Sequence, residues 1–297
     1  MFSIRSVLLT ILVILGFLSI APEMIRNLKN QYQSALEPHA HLAAVKICGE
    51  LNNIDDYVAE LKTYFEDKNI KGILLEFDCS GGASGSSQAL FHEINLLKKE
   101  HSKPLVAYTT NMCASGAYYV ASTANHIVAT PSAIVGSIGT FIGYFRVNEI
   151  MNKWDVNFTE KHSGKYKTII NPFLPTTTEN EILLQAVSDN VYEQFTRDVA
   201  NQRQLALSEA DQWANGKIFT GEQALKLKLI DEIGCKSNAI NKLRELALIK
   251  KEEKIIWTKS KPQESLLNKL MHNQTDLPND IANLAIQKLK SGFIWVN

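Results

Sequence analysis

The chain has no excess of either charge, no paired-cysteine spacing, no metal-binding helix motif, no phosphate loop and no internal repeats. With 31 basic and 31 acidic residues among 297, the formal net charge is zero. No global field draws it toward DNA, RNA or an anionic surface, and no basic stripe interleaves with aromatics, which excludes nucleic acid as a partner. The four cysteines, Cys48, Cys79, Cys113 and Cys235, show no C-x-x-C spacing, so a zinc site or thioredoxin-type motif is not expected. They read as small buried apolar residues, with Cys79 and Cys113 the pair to examine first for a disulfide in an exported chain. His92-Glu93-Ile94-Asn95-Leu96 lacks the second histidine of a zinc-protease helix, and Gly81-Gly82-Ala83-Ser84-Gly85 matches neither a dinucleotide nor a P-loop fingerprint. No metal and no organic cofactor is expected.

What is present is an ordinary globular composition, 45% hydrophobic and 21% charged, long enough for one large core or two modest ones. The N-terminus is the exception. Val7 to Ala21 is apolar apart from two hydroxyls and follows a short basic leader containing Arg5. It reads as an uncleaved signal-anchor, because Pro22 would follow a cut after Ala21 and hinder it. A single-pass inner-membrane protein with its body on the extracytoplasmic (periplasmic) side is the expectation. The domain expectation is a signal-anchor over 1–22, a linker over 23–41, a catalytic domain over 42–247 and a C-terminal extension over 248–297.

Within the body, strands are expected at Leu42–Cys48, Gly72–Asp78 and Leu105–Tyr108, with helical spacing over Ile54–Phe65 and around Leu90, Ile94 and Leu97. Strand and helix alternating at this pitch point to βαβ units, a parallel sheet and an α/β fold. In such sheets, sites form outside the carboxyl ends of strands. The turn at Gly81-Gly82 and Ser115 both fall there. A long helix is expected over Glu179–Leu207, with Ile182, Leu183, Ala186, Val187, Val191, Phe195 and Val199 on one side. In the tail, Ile255-Ile256-Trp257 reads as a strand, 281–289 as an amphipathic helix, and Phe293-Ile294-Trp295 as an apolar end in need of a surface.

Ser115 stands among Ala114, Gly116 and Ala117, small enough for a peptide backbone to approach. A serine hydroxyl needs a base to become a nucleophile. The helix start after it and the Gly81-Gly82 turn offer free N–H groups for an oxyanion. His126 and His162 are conceivable bases, but the G-x-S-x-G elbow is absent, with Cys113 and Ala117 in place of its glycines. A lysine can serve if burial lowers its amine from about 10.4 toward ambient pH. Lys161, Lys165 and Lys167 lie in one segment, and Lys167 leads into the apolar Ile169-Ile170.

These residues carry a resemblance. Ala114 to Ser122, Ala124 to Ala129 and Val135-Gly136-Ser137-Ile138-Gly139 resemble the core of the signal peptide peptidase A family, membrane-anchored serine–lysine peptidases. Phe158 to Lys167 is similar to its lysine segment, and Asn215 to Ala224 through Asp231-Glu232-Ile233-Gly234 to its closing motif. The resemblance implies Ser115 as nucleophile, Lys167 as base, Ser137 as a supporting hydroxyl, and Gly81, Gly82 and Gly116 as the oxyanion hole. It also implies a Clp-protease/crotonase-like repeated ββα spiral, a ring-shaped homo-oligomer, and peptide substrates such as remnant signal peptides. The family's Asn-Ser-Pro-Gly-Gly is here Asp78-Cys79-Ser80-Gly81-Gly82, its second glycine after the serine is Ala117, and the aspartate after its lysine is Thr168. Two rivals remain on the sequence alone: a crotonase-type acyl-CoA enzyme, and a catalytically silent peptide-binding membrane scaffold.

Overall fold

The computed structural model describes residues 21–25, 39–258 and 295–296. The chain divides into two compact units, Met1–Ala40 with Ile249–Ile256, and His41–Leu248 with Trp257–Asn297. In the larger unit the apolar runs become a mixed α/β sheet. Strands β1 (His39–Leu51), β2 (Ile70–Ala83) and β3 (Leu105–Ala114) lie side by side and parallel, joined by α1 (Asp55–Glu66) and α2 (Ser84–Glu100). Ile73, Leu74 and Leu75 are consecutive and all fully buried, the mark of a strand covered on both faces. Ile73, Leu75, Phe77 and Cys79 turn toward Leu61, Leu90 and Ile94 of the two helices in the main core.

After β3 the chain turns through Ser115 into the short helix α3 (Gly116–Ala121), then β4 (His126–Ala129) and β5 (Ile134–Gly136). These two strands share one edge of β3. β4 pairs with Val106–Thr109 and β5 with Met112–Ala114, both parallel. A short helix α4 (Asn148–Lys153) precedes a stretch without helix or strand that ends at α5 (Thr178–Arg203). Thr177 caps α5 by accepting from the Asn180 N–H at 3.2 Å. Helix α5 meets α2 and α3 through a stack of Phe91, Tyr119 and Phe195, with centroids 4.7 and 4.4 Å apart. Then follow α6 (Ala210–Trp213), β6 (Ile218–Thr220) antiparallel to β5, α7 (Gly221–Lys226), β7 (Glu232–Ile233) parallel to β4, and α8 (Lys236–Leu246). Helix α8 packs on β2, β3 and β4 and buries Ala239 and Leu243, covering the sheet's second face.

The helix expected over 179–207 ends at Arg203, where Gln204 turns left-handed with φ 54°. Only its C-terminal half is buried, at Phe195, Thr196, Val199 and Ala200. Ile182 stays 66% and Val187 42% exposed.

In the smaller unit, residues 21–25 are helical and the strand β8 (Lys254–Thr258) begins where the tail pattern expected one. No helix among the described residues is long and apolar enough to cross a membrane. The signal-anchor expected over 1–22 lies outside the described residues up to residue 20, as does the helix expected over 281–289. The last described strand, β9 (Trp295–Val296), pairs antiparallel with Gly82–Ala83 of β2.

Candidate active site

Three strand ends meet at one place. Along β2 and β3 the register runs evenly to Phe77↔Thr109 and resumes at Cys79↔Cys113. Three residues of β3, Thr110 to Met112, therefore stand against Asp78 alone, and β3 bulges there. Because β1 holds the other edge of β2 as far as Leu51↔Gly82, β9 occupies the edge that β3 has left.

Ser115 sits where β3 breaks into α3, with φ 54° and ψ −126°. A non-glycine residue there costs about 1–3 kcal/mol and persists only where its surroundings impose it. They do: its N–H donates to Gly136 O at 2.7 Å, and its carbonyl accepts from Tyr119 N at 2.9 Å. The residue is fully buried, and its hydroxyl has no hydrogen-bond partner. Ser137 follows Gly136 directly, also left-handed at φ 53°, with its N–H donating to Lys217 O at 2.7 Å. The turn that seats Ser115 therefore also seats Ser137.

The glycines are held by close approach. A Cβ at Gly82 would stand 2.5–2.7 Å from the Leu51 backbone. A Cβ at Gly116 would overlap Ser87 Oγ, stand 2.9 Å from Ser87 Cβ and lie 3.4 Å from Gly82 N. Gly82 and Gly116 are thus brought against each other beside Ser115. Gly81 differs: at φ 113° its N–H donates to Cys79 Sγ at 3.4 Å, and the thiol donates back to Gly81 O at 3.5 Å. All four cysteines are free thiols. Burial pushes the Cys79 thiol up to about 11 and raises Cys113 well above its ordinary value.

The lysine segment lies apart from these groups in the chain's own bonding. Lys167 is exposed on a turn whose N–H donates to Gly164 O at 3.1 Å. No hydrogen bond joins it to Ser115 or Ser137. Lys165 is engaged by Glu179 at 2.6 Å, and the hydrogen bond it donates to Glu179, with Tyr166, raises its ammonium pKa, the wrong direction for a base. Lys161 is exposed. Of the two histidines, His126 contacts Glu232 at 3.2 Å and His162 contacts Glu160 at 3.0 Å. Neither meets the Ser115 hydroxyl. Among the described residues no cluster of His, Cys, Asp or Glu suits a metal ion.

Sequence reasoning passed over Ser87, which reads as one more serine in a helix's first turn, and over β9, two residues too few to carry a period. It weighed Cys79 as a buried apolar residue or a disulfide partner of Cys113, whereas the structure leaves both thiols free and bonds that of Cys79 to Gly81.

A strained serine at the carboxyl end of a parallel strand, flanked by two glycine turns, sets the chain among α/β proteins whose sites form at strand ends. Comparison gives the family. Residues 97–250 match the model of peptidase family S49, and the chain belongs to that family, among relatives that carry the signal peptide peptidase A name. It is similar to the protease candidate MJ0651 of Methanocaldococcus jannaschii, 37% identical over 66% of this chain and 63% of that one. It is also similar to the chloroplastic serine protease SPPA of Arabidopsis thaliana, 28% identical over 71% of this chain and 31% of that one. Protease 4 of Haemophilus influenzae is 29% identical over 63% and 30%. The matched stretch spans less than two thirds of each of these relatives.

Proposed function

We propose that the protein is a serine endopeptidase using a Ser115/Lys167 dyad, anchored in the inner membrane by its N-terminal segment with the catalytic body outside the cytoplasm. The observation that carries the reading is the buried, unpartnered Ser115 hydroxyl, in a strained turn beside the facing backbones of Gly82 and Gly116. A neutral Lys167 takes the Ser115 proton as the oxygen attacks a peptide carbonyl, with Ser137 holding the amine in place. The oxyanion forms against the backbone N–H groups of Gly82 and Gly116, the amine product leaves with the proton, and water activated by the same lysine releases the acyl group. Gly81 gives the turn its left-handed residue.

The edge of β2 at Gly82–Ala83 accepts an extended segment antiparallel, which supports docking of a peptide as an added strand. Unfolded segments and remnant signal peptides are the proposed substrates, since only an extended chain pairs this way. Lys167 is exposed and unbonded to either serine, and the apolar N-terminal half of α5 is uncovered nearby in sequence. Both features support a ring-shaped homo-oligomer in which a neighbouring copy supplies the lysine.

An aryl fluorophosphonate, which reacts with activated serines, tests the reading alongside hydrolysis of an unstructured peptide. Wild type is labelled at Ser115 and cleaves the peptide; Ser115→Ala does neither; Lys167→Ala loses at least about a hundredfold in rate at neutral pH. Hydrolysis that survives Lys167→Ala at neutral pH sinks the lysine base, and labelling elsewhere in the chain sinks the nucleophile.

A further inference from the structure

Ser87 carries a buried hydroxyl that nothing in the fold uses. It lies in the first turn of α2, is fully buried, and its Oγ has no hydrogen-bond partner. Buried hydroxyls in helices ordinarily return to a carbonyl three or four residues back, and this fold does so elsewhere. Ser122 Oγ donates to Tyr119 O and Thr123 Oγ1 to Val120 O, each at 2.7 Å. Ser87 makes no such bond. Instead its oxygen occupies the space where a side chain of residue 116 would begin, a space that also borders Gly82 N. An unpaired buried hydroxyl lowers stability; Thr109 and Thr196 carry others, but that of Ser87 is set against Gly116, the residue after the unpaired Ser115.

We propose that Ser87 is a positioning residue of the oxyanion site: its side-chain oxygen, wedged against Gly116, holds the Gly116 and Gly82 amides at the spacing that receives the carbonyl oxygen. The inference rests on the peptidase reading of Ser115. Helix α2 follows directly from the Gly81-Gly82 turn, so a side chain on its first turn reports the position of that turn to the one after Ser115. An alanine at 87 keeps the helix but opens a gap at the wedge, letting the two amides drift. A shift of that size at an oxyanion site lowers rate and leaves ground-state binding almost unchanged.

The experiment measures acylation by an aryl fluorophosphonate, steady-state kinetics on a peptide ester and thermal unfolding, all on the full chain in detergent. Ser87→Ala is expected to acylate about ten- to a hundredfold more slowly, with the loss in kcat, KM within about twofold and a Tm equal to or above wild type. The opposite directions of rate and Tm are what a merely structural serine does not produce. Wild-type acylation in Ser87→Ala, or a rate loss that tracks a fall in Tm, overturns the proposal. A double-mutant cycle supplies a second test. Gly116→Ala should acylate more than about a hundredfold more slowly in wild type but less so in a Ser87→Gly background, where the methyl has room. Strict additivity overturns the wedge. Ser115→Ala separates the two levels: if it is still labelled or still hydrolyses peptide, the peptidase reading fails. A dead Ser115→Ala beside a fully active Ser87→Ala removes the Ser87 role alone.

Discussion

At the scale of single residues, Cys79 couples the Gly81-Gly82 turn to pH. Its thiol bridges both backbone groups of Gly81, and it is 2% exposed. Burial raises its pKa from 9.0 to about 11. Below pH 9 the thiol is protonated in folded and unfolded chains alike, and its contribution to stability is present in full. Between about 9 and 11 the unfolded chain releases a proton that the folded chain keeps, so stability falls as pH rises through the folded value, by at most about 1.4 kcal/mol per pH unit for this one group. Buried Cys113 acts in the same direction. Urea unfolding from pH 8 to 11 should show this decline, and Cys79→Ser should remove part of it while keeping both bonds to Gly81. An unchanged slope in Cys79→Ser means the Cys79 thiol does not titrate as argued.

At the scale of elements, β3 shares its edge between two strands, and the closing turns are tied to the sheet at some distance from the site. Arg203 ends α5 with its side chain 8% exposed, donating to Asp231 at 2.8 and 2.9 Å and to Lys228 O at 2.8 and 3.1 Å. Asp231 in turn accepts from the Ile127 N–H at 2.7 Å, at the start of β4. Arg203→Ala should cost about 2–3 kcal/mol in urea unfolding, and Arg203→Lys should recover little because the planar fork makes all four contacts. Acylation of Ser115 per folded molecule should not change. This level also shows where sequence reading succeeds and fails. Strands β1 to β3 were legible because buried parallel strands are short apolar runs, and the Ser115 and Gly81-Gly82 turns because small residues there have few other uses. The split edge of β3 was not legible, since pairing with β4 and then β5 depends on a bulge that no local pattern encodes. Nor was Ser87, whose meaning lies in a glycine 29 positions away. The apolar stripe of α5 was read correctly as a stripe, but half of it faces outward, because periodicity reports a face and not what covers it.

At the scale of the whole molecule, the proposed dyad and the uncovered apolar surface pose the same question. Ser115 has no partner for its hydroxyl, and Lys167 is exposed with no bond to it. Ile182, Leu183 and Val187 lie uncovered on α5, with Trp154 and Phe145 exposed on the stretch before it. A head-to-tail contact between copies, closing into a ring, would bury such a stripe and set one copy's lysine segment against the next copy's serine. The arrangement makes an asymmetric prediction about mixtures. Ser115→Ala and Lys167→Ala proteins should each be inactive alone. Unfolded together, refolded and reassembled at equal amounts, they would form mixed rings under the proposed arrangement, in which about a quarter of the interfaces join an intact serine to an intact lysine. Peptide hydrolysis should therefore return to about a quarter of the wild-type rate. If both groups of each dyad came from one chain, no mixture would contain an intact site, and activity would stay at the level of the separate variants. Val187→Glu added to both proteins should lower the sedimenting mass and abolish the recovery together, because a charge on a stripe that the proposed contact would bury opposes that contact.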